Sequence, residues 1–443
     1  MNKKQPFLII ALALAVGVGI YMLVSSTATR TQIPDILSYY SWTIPVDELD
    51  KALLTDGRMT EKSCELIDHA LEGYEAGSED ALRLAAYAQM RTKNGYPEET
   101  ARRNLTEQIA AINVEEYSDT SVFKTLFQEA PWTMELVLEK YRGTEGYSAR
   151  SVLKSIAENS SGLSLEERLQ WALTIENTEY TGADFFSASV TEADLPRVRT
   201  LVTELTDPEQ RRLCGQALAD LPNQPEEIVP VLYQLRQQNL SLGEIFPQGI
   251  RLNMDLSNLN RLQDLPEMKD PLPAESRYLI ISRTEVDVKA EELDKRPDDG
   301  YSCHNKSDPS VFDVRVETAW MDQMSLDRVP ASYDECQWLA VLDMQYIYGG
   351  CLTELKDYAT GKVERNQHFY PVYGTLSRLI LVGRDDLVPR QLFESQSVDA
   401  DKSQTVMRWT NTAVGSSASS YQVAPRFDSE WKNEILRRFL DRE

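Results

Sequence analysis

The chain has 443 residues, of which 46 are Lys or Arg and 70 are Asp or Glu, giving a formal net charge of −24. That balance argues against nucleic acid and against an anionic membrane surface as partners, since both would be repelled. Hydrophobic residues make up 42%, which excludes a disordered chain and leaves room for two or three packed domains, and five cysteines are too few for a disulfide scaffold.

Lys3 and Lys4 precede an uncharged apolar run from Phe7 to Val24. A run of about 18 residues sits at the lower limit for a membrane-spanning helix and exceeds the roughly 7 to 15 of a secretory core. The two lysines hold the N-terminus in the cytoplasm and send the rest of the chain across the membrane. Ala11, Ala15 and Gly19 share one helical face where another membrane helix could pack. Ser26-Thr27-Ala28 supplies the small residues a signal peptidase needs, so residues 1–28 read as a signal anchor or a cleaved signal peptide. No cysteine comes after the run at the position a lipoprotein signal requires, which excludes that class. The predicted location is the cell envelope, single-pass in the inner membrane with a periplasmic bulk, or secreted after cleavage near Ala28.

Residues 31–264 show short amphipathic helices, each opened by a cap and closed by Gly, Pro or Asn. Starts fall at Ser78, Pro97, Ser118, Pro131, Ser164 with Glu167 as a capping box, Asp194, Asp207-Pro208 and Pro225. Cys64 and Cys214 lie in these patterns and read as buried apolar residues. Starts recur roughly every 15 to 20 residues, the spacing of helical hairpins, so an irregular α-solenoid or a compact multi-helix domain is expected. The geometry recurs without a repeating residue consensus.

Residues 265–275 are proline-rich and aperiodic, and read as a linker. From 276 to 443 the period shifts to 2 and an antiparallel β-rich α+β domain is expected. Tyr278 to Val288 and Val311 to Thr318 read as strands. Trp338 to Tyr348 reads as a strand ending in a hairpin turn at Gly349-Gly350, with Cys351 to Tyr358 returning. Ala359-Thr360-Gly361 forms a second loop into Lys362 to Tyr370, and Leu376 to Val382 is a fourth strand. This hairpin would bring Cys336 near Val363 and leave it about 40 Å from Cys351, so it is incompatible with a Cys336–Cys351 disulfide. Asn411 to Ser420 is a flexible loop by composition. A C-terminal helix opens at Asp428 and turns Trp431, Ile435, Leu436, Phe439 and Leu440 to one face.

The fold class predicted is therefore α plus α+β, with an N-terminal membrane or signal helix, a helical-hairpin domain and a β-rich domain with a C-terminal helix. Candidate metal ligands crowd one polar stretch, Asp298, Asp299, Cys303, His304 and Asp308, although their spacing matches no established metal motif. Asp385 and Asp386 follow a strand, where paired carboxylates can serve hydrolysis of a glycosidic bond, but adjacent residues point apart. His368 is a candidate general base with no nucleophile motif beside it. Asp343 interrupts the apolar run Trp338-Leu339-Ala340-Val341-Leu342. Because Gln345 shares its face, a half-exposed face is expected, against a paired carboxylate in a cleft.

No cofactor motif appears. The function expected is a non-enzymatic envelope interaction protein, meeting a protein partner through the helical domain and the membrane through the N-terminal helix alone. Two alternatives stand beside it: an exported hydrolase of an envelope polymer using the acidic residues of the C-terminal domain, and a ligand or metal sensor built on the Asp298 to Asp308 loop.

Overall fold

The computed structural model describes residues 33–40, 43–114, 121–261, 265–286, 312–357, 363–399, 406–408 and 427–441. It combines helices with one large sheet, as expected for an α+β chain, and divides between Asp194 and Leu195 into two compact units. Among the described residues no helix is long and apolar enough to cross a membrane. The apolar run at Phe7 to Val24 and the start at Ser118 lie outside them.

The first unit is helical. It runs through α1 (residues 33–39), α2 (Val46–Leu53), α3 (Glu61–Gly73), α4 (Glu79–Met90), α5 (Glu98–Ala111), α6 (Ser121–Glu129), α7 (Thr133–Tyr141), α8 (Tyr147–Asn159), α9 (Leu165–Leu173) and α10 (Gly182–Ser189). Short-range chemistry sets the starts. The hydroxyl of Ser78 accepts from the Ala81 N–H, and Ser164 with Glu167 and Thr181 with Asp184 close reciprocal capping boxes. Between α2 and α3 lies a small hairpin, β1 (Leu54–Thr55) and β2 (Arg58–Met59), turned by Asp56 and Gly57, which both have positive φ. Several middle helices pack on the helix two places along the chain: α4 on α6, α5 on α7, α6 on α8, and α8 on α10, with α4 also packed on α5. This alternate stacking makes one row of α4, α6, α8 and α10 and sets α5 and α7 in a second. Cys64 is half-buried in α3, short of the full burial its pattern predicts.

The second unit opens with α11 (Leu195–Glu204), α12 (Pro208–Asp220), α13 (Pro225–Gln237) and α14 (Leu242–Ile245). Its strands are β3 (Ile250–Arg251), β4 (Tyr278–Glu285), β5 (Phe312–Val316), β6 (Trp338–Asp357), β7 (Val363–Gly383), β8 (Pro389–Val398) and β9 (Val406–Arg408), in the order β3-β5-β4-β6-β7-β8 with β9 beside the far end of β6. A single helical turn, α15 (Thr318–Met321), comes directly after β5 and packs on α14. The sheet is mixed and departs from the antiparallel expectation. β5 pairs with one edge of β4, and β6 runs parallel to β4 along the other.

The Gly349-Gly350 hairpin is not formed. β6 continues through both glycines to Asp357 and pairs antiparallel with β7, with register shifts between Tyr348 and Gly350 and between Leu352 and Glu354. Glycine inside a strand commonly marks such a bulge, because an extra residue must be taken up where no side chain has to pack. The four short strands expected from 338 to 382 are thus two long ones, with Lys356 of β6 opposite Val363 of β7, and the loop expected at Ala359-Thr360-Gly361 lies outside the described residues. Trp338 pairs with Gly383, so Cys336 lies nowhere near Val363. Cys336 and Cys351 remain more than about 40 Å apart, now along a single strand, and Cys336 is a free buried thiol.

The proline-rich stretch is not a bare connection. Leu392 of β8 donates its N–H to the Pro266 carbonyl and accepts from the Met268 N–H, and Met268 and Leu272 are buried. The last helix, α16 (Ser429–Leu440), opens at Asp428 as predicted, whose carboxylate accepts from the N–H groups of Glu430 and Trp431. Ile435, Leu436 and Phe439 are buried, with the Phe439 ring edge-on to Tyr278 and Phe393, so this helix covers one face of the sheet. The loop predicted at Asn411 to Ser420 lies outside the described residues.

Candidate functional site

Two places hold arrangements that a packed core alone does not require. The first is a charged row inside the sheet. The register sets Arg283 of β4 opposite Asp343 of β6, and Asp343 opposite Arg378 of β7, so the three side chains emerge on one face. Arg283 Nη1 donates to Asp343 Oδ1 at 2.6 Å, and Arg378 Nη2 donates to Asp343 Oδ2 at 2.6 Å. Gln345 Nε2 adds a third donor on Oδ2 at 2.6 Å. The Arg283 guanidinium lies 3.4 Å above the centre of the Phe312 ring, and Arg378 also donates to the Leu259 carbonyl. Beside the row, Glu285 accepts from the Tyr346 N–H at 2.8 Å.

Asp343 is 0% exposed, which overturns the half-exposed reading. Alternation fails because β6 is a central strand here: Leu339 to Met344 are buried on both faces. Burial pulls the Arg283 pKa below its ordinary value, and the Asp343 charge opposes that pull. With both oxygens held by cations and no path to solvent, Asp343 is suited to holding three strands together and unsuited to taking a proton from a substrate.

The other sequence candidates do not converge on this row. Asp385 is 83% exposed and pairs with Arg384 at 2.9 Å, and Asp386 pairs with Arg390 and accepts from the Val388 N–H. Each carboxylate of this turn is engaged by its own arginine, Asp385 by Arg384 of the turn and Asp386 by Arg390 of β8. His368 falls on the backbone of β7, and its side chain lies outside the described residues, as do Asp298, Asp299, Cys303, His304 and Asp308. Among the described residues no group of His, Cys, Asp or Glu is placed to hold a metal ion.

The second place is a groove of about 920 Å³ in the helical unit. It is lined by Arg102 and Thr106 of α5, by Pro131, Trp132, Met134, Glu135 and Leu136 at the start of α7, and by Glu158, Leu163 and Trp171. Of the lining residues, Trp132, Leu136, Leu163 and Trp171 are only half-buried, while Phe127 and Met134 are buried. The Arg102 guanidinium stands 4.5 Å from the Trp132 ring centre and so already covers part of it. Sequence reading missed this groove, although a signal existed. The buried stripe of α9 is Leu165, Arg168, Leu169 and Ala172, and Trp171 lies off it. A tryptophan outside the core stripe is apolar surface left facing water.

No protein-family model, curated protein or solved structure matches the chain.

Proposed function

We propose that this chain is a non-catalytic interaction protein of the cell envelope, carried there by residues 1–28, whose helical unit receives a segment of a partner protein in the groove between α5, α7 and α9. The observation that carries the reading is the pair of half-buried tryptophans, Trp132 and Trp171, that line one groove. Large aromatic side chains in a pocket are the residues that dominate protein interfaces, since they remove much apolar area from water at little conformational cost. Stacked helical hairpins present such concave surfaces, a warrant by analogy of architecture.

The test is affinity capture from gently crosslinked membranes, with the full-length chain and its Trp171→Ala variant as parallel baits. The proposal expects a reproducible partner set that the variant loses. A partner set indifferent to Trp171 would take the groove out of the function.

A further inference from the structure

We infer that Tyr39 and Tyr40, at the end of α1, seat the helical unit on the lipid interface of the membrane that its own N-terminal segment enters. This rests on the proposed function only through residues 1–28, with those residues retained as an anchor. Ile33 and Leu37 of α1 are buried, so one face fixes this helix to the unit. The Tyr40 and Thr43 carbonyls both accept from Nη1 of the buried Arg83 on α4, which fixes the chain where α1 ends. On that frame Tyr39 is left 80% exposed with Tyr40 exposed beside it, their rings edge to face and 5.1 Å apart between centres. An exposed aromatic standing alone needs no explanation, and Tyr147 at the start of α8 is one such. The pair at α1 differs in its covalent distance from the apolar run. The nine residues from Ser25 to Ile33 span at most about 30 Å, and α1 adds about 9 Å to reach Tyr39. A membrane that takes up Phe7 to Val24 is therefore held within about 40 Å of the two rings, and their contact with it is intramolecular, so that two weak anchors suffice. Tyrosine joins an apolar ring to a hydroxyl that stays wet, the combination suited to the headgroup zone, which is roughly 5 to 8 Å thick on each side of the hydrocarbon. Charge selects the lipid. Asp35 of α1 and Asp47 of α2 are exposed, Lys51 is bonded to Glu48 at 2.8 Å, and Arg83 is paired with Asp80 at 2.5 Å, so a zwitterionic surface fits this end of the unit and an anionic one does not.

The test uses the full-length protein in phosphatidylcholine nanodiscs, with the photoreactive residue p-benzoylphenylalanine in place of Tyr39 or, separately, of Tyr147, which is 83% exposed. Both side chains face water in the folded unit, so neither replacement disturbs its packing. After illumination, mass spectrometry is expected to find phospholipid adducts at position 39 and none above the unilluminated background at position 147. Exchanging part of the lipid for anionic phosphatidylglycerol is expected to lower the adduct yield. No lipid adduct at position 39, an equal yield at both positions, a yield that rises with phosphatidylglycerol, or adducts at position 39 in native membranes that carry protein in place of lipid would each overturn the interfacial contact. The anchor is read separately, by whether the chain co-elutes with the nanodiscs. Co-elution without an adduct at position 39 removes the contact and leaves the anchor standing, whereas failure to co-elute removes both. The groove is judged by neither result, since its own test is the dependence of the captured partner set on Trp171.

Discussion

Removing the carboxylate of Asp343 leaves two guanidinium groups facing each other inside the sheet, with Arg283 1% exposed and Arg378 11% exposed. Breaking a buried ion pair from one side costs about 3 to 5 kcal/mol, because the remaining charge keeps its desolvation penalty and loses its partner. Asp343→Asn is accordingly expected to lower stability by that amount in urea unfolding of the full chain. Replacing the whole row by Met and Leu is expected to recover most of the loss, and a mild effect of Asp343→Asn alone would mean the row is wetter than its burial implies. A pH signature belongs to Asp194, whose carboxylate takes two donors from Arg168 and two from Thr191. The Arg168 hydrogen bonds, foremost, hold its pKa down from the ordinary 3.8 to about 2. A depressed carboxylate contributes stability that is fully present above its unfolded value and is lost as the pH falls through its folded one. Asp194 thus adds about 2 kcal/mol at neutral pH, fading between about 4 and 2. In Asp194→Asn the melting temperature should fall less steeply than wild type over that window; equal slopes would rule the pair out as an acid sensor. Neither cluster was legible in the sequence for a shared reason. Asp343 meets partners 60 and 35 positions away, and Asp194 meets one 26 positions away, so no local window contains the pair.

Local windows do contain the caps, and the element starts were accordingly readable. Ser164 with Glu167, Asp207 before Pro208, and Asp428 each place an acceptor within three residues of the N–H it satisfies. The other ends were readable only where a local residue closes them, as Gly95 and Asn239 do with positive φ; elsewhere a spare carbonyl is met from far along the chain, Lys140 donating to Ala110 O and Arg168 to Ser189 O. The sheet shows the same limit. Gly349-Gly350 suits a two-residue turn and a bulge equally well, and only the pairing with β7 decides between them. Parallel pairing of β4 with β6 is likewise silent in strand sequence, since the same apolar run serves either direction. Helix packing supplies a sharper test. A Cβ on Gly215 of α12 would lie 2.6 Å from both the carbonyl oxygen and Cγ2 of Ile245 in α14, so the two helices approach as closely as they do only because that residue is glycine. Gly215→Ala should cost about 1 to 3 kcal/mol despite its better helix propensity. A stabilised variant in thermal unfolding would show that α14 shifts aside freely.

At the scale of the whole chain the question is which part folds with which. The proline-rich residues 265–275 predict one boundary, and the compact units place another at Asp194/Leu195. The residues between them are committed to the sheet by specific bonds. β3 pairs with β5, Ile250 opposite Val316, and the Asn223 N–H donates to the Arg251 carbonyl at the other side of that strand. Asp322, beyond β5, accepts from the Leu242 and Gly243 N–H groups and from the Ser241 hydroxyl, capping α14. Thr318 Oγ1 donates to Phe246 O, and Arg236 donates to Met324 O. A fragment of residues 276–443 would lose all of these, exposing the outer edge of β5 and leaving the Asp322 carboxylate without the N–H donors it caps. A fragment of residues 195–443 keeps them. The longer fragment is therefore expected to melt in one cooperative transition, and the shorter to melt at least ten degrees or so lower or without a sharp transition, given the few degrees that each kcal/mol moves a domain of this size. Hydrogen exchange gives the same test within the intact chain: the amides of Ile250 and Leu252 should open together with those of β5, because their partners lie on that strand. If residues 276–443 instead melt sharply alone and those amides exchange early, the boundary at 265–275 is the true one, and α11 to α14 belong with the helical unit that carries the groove.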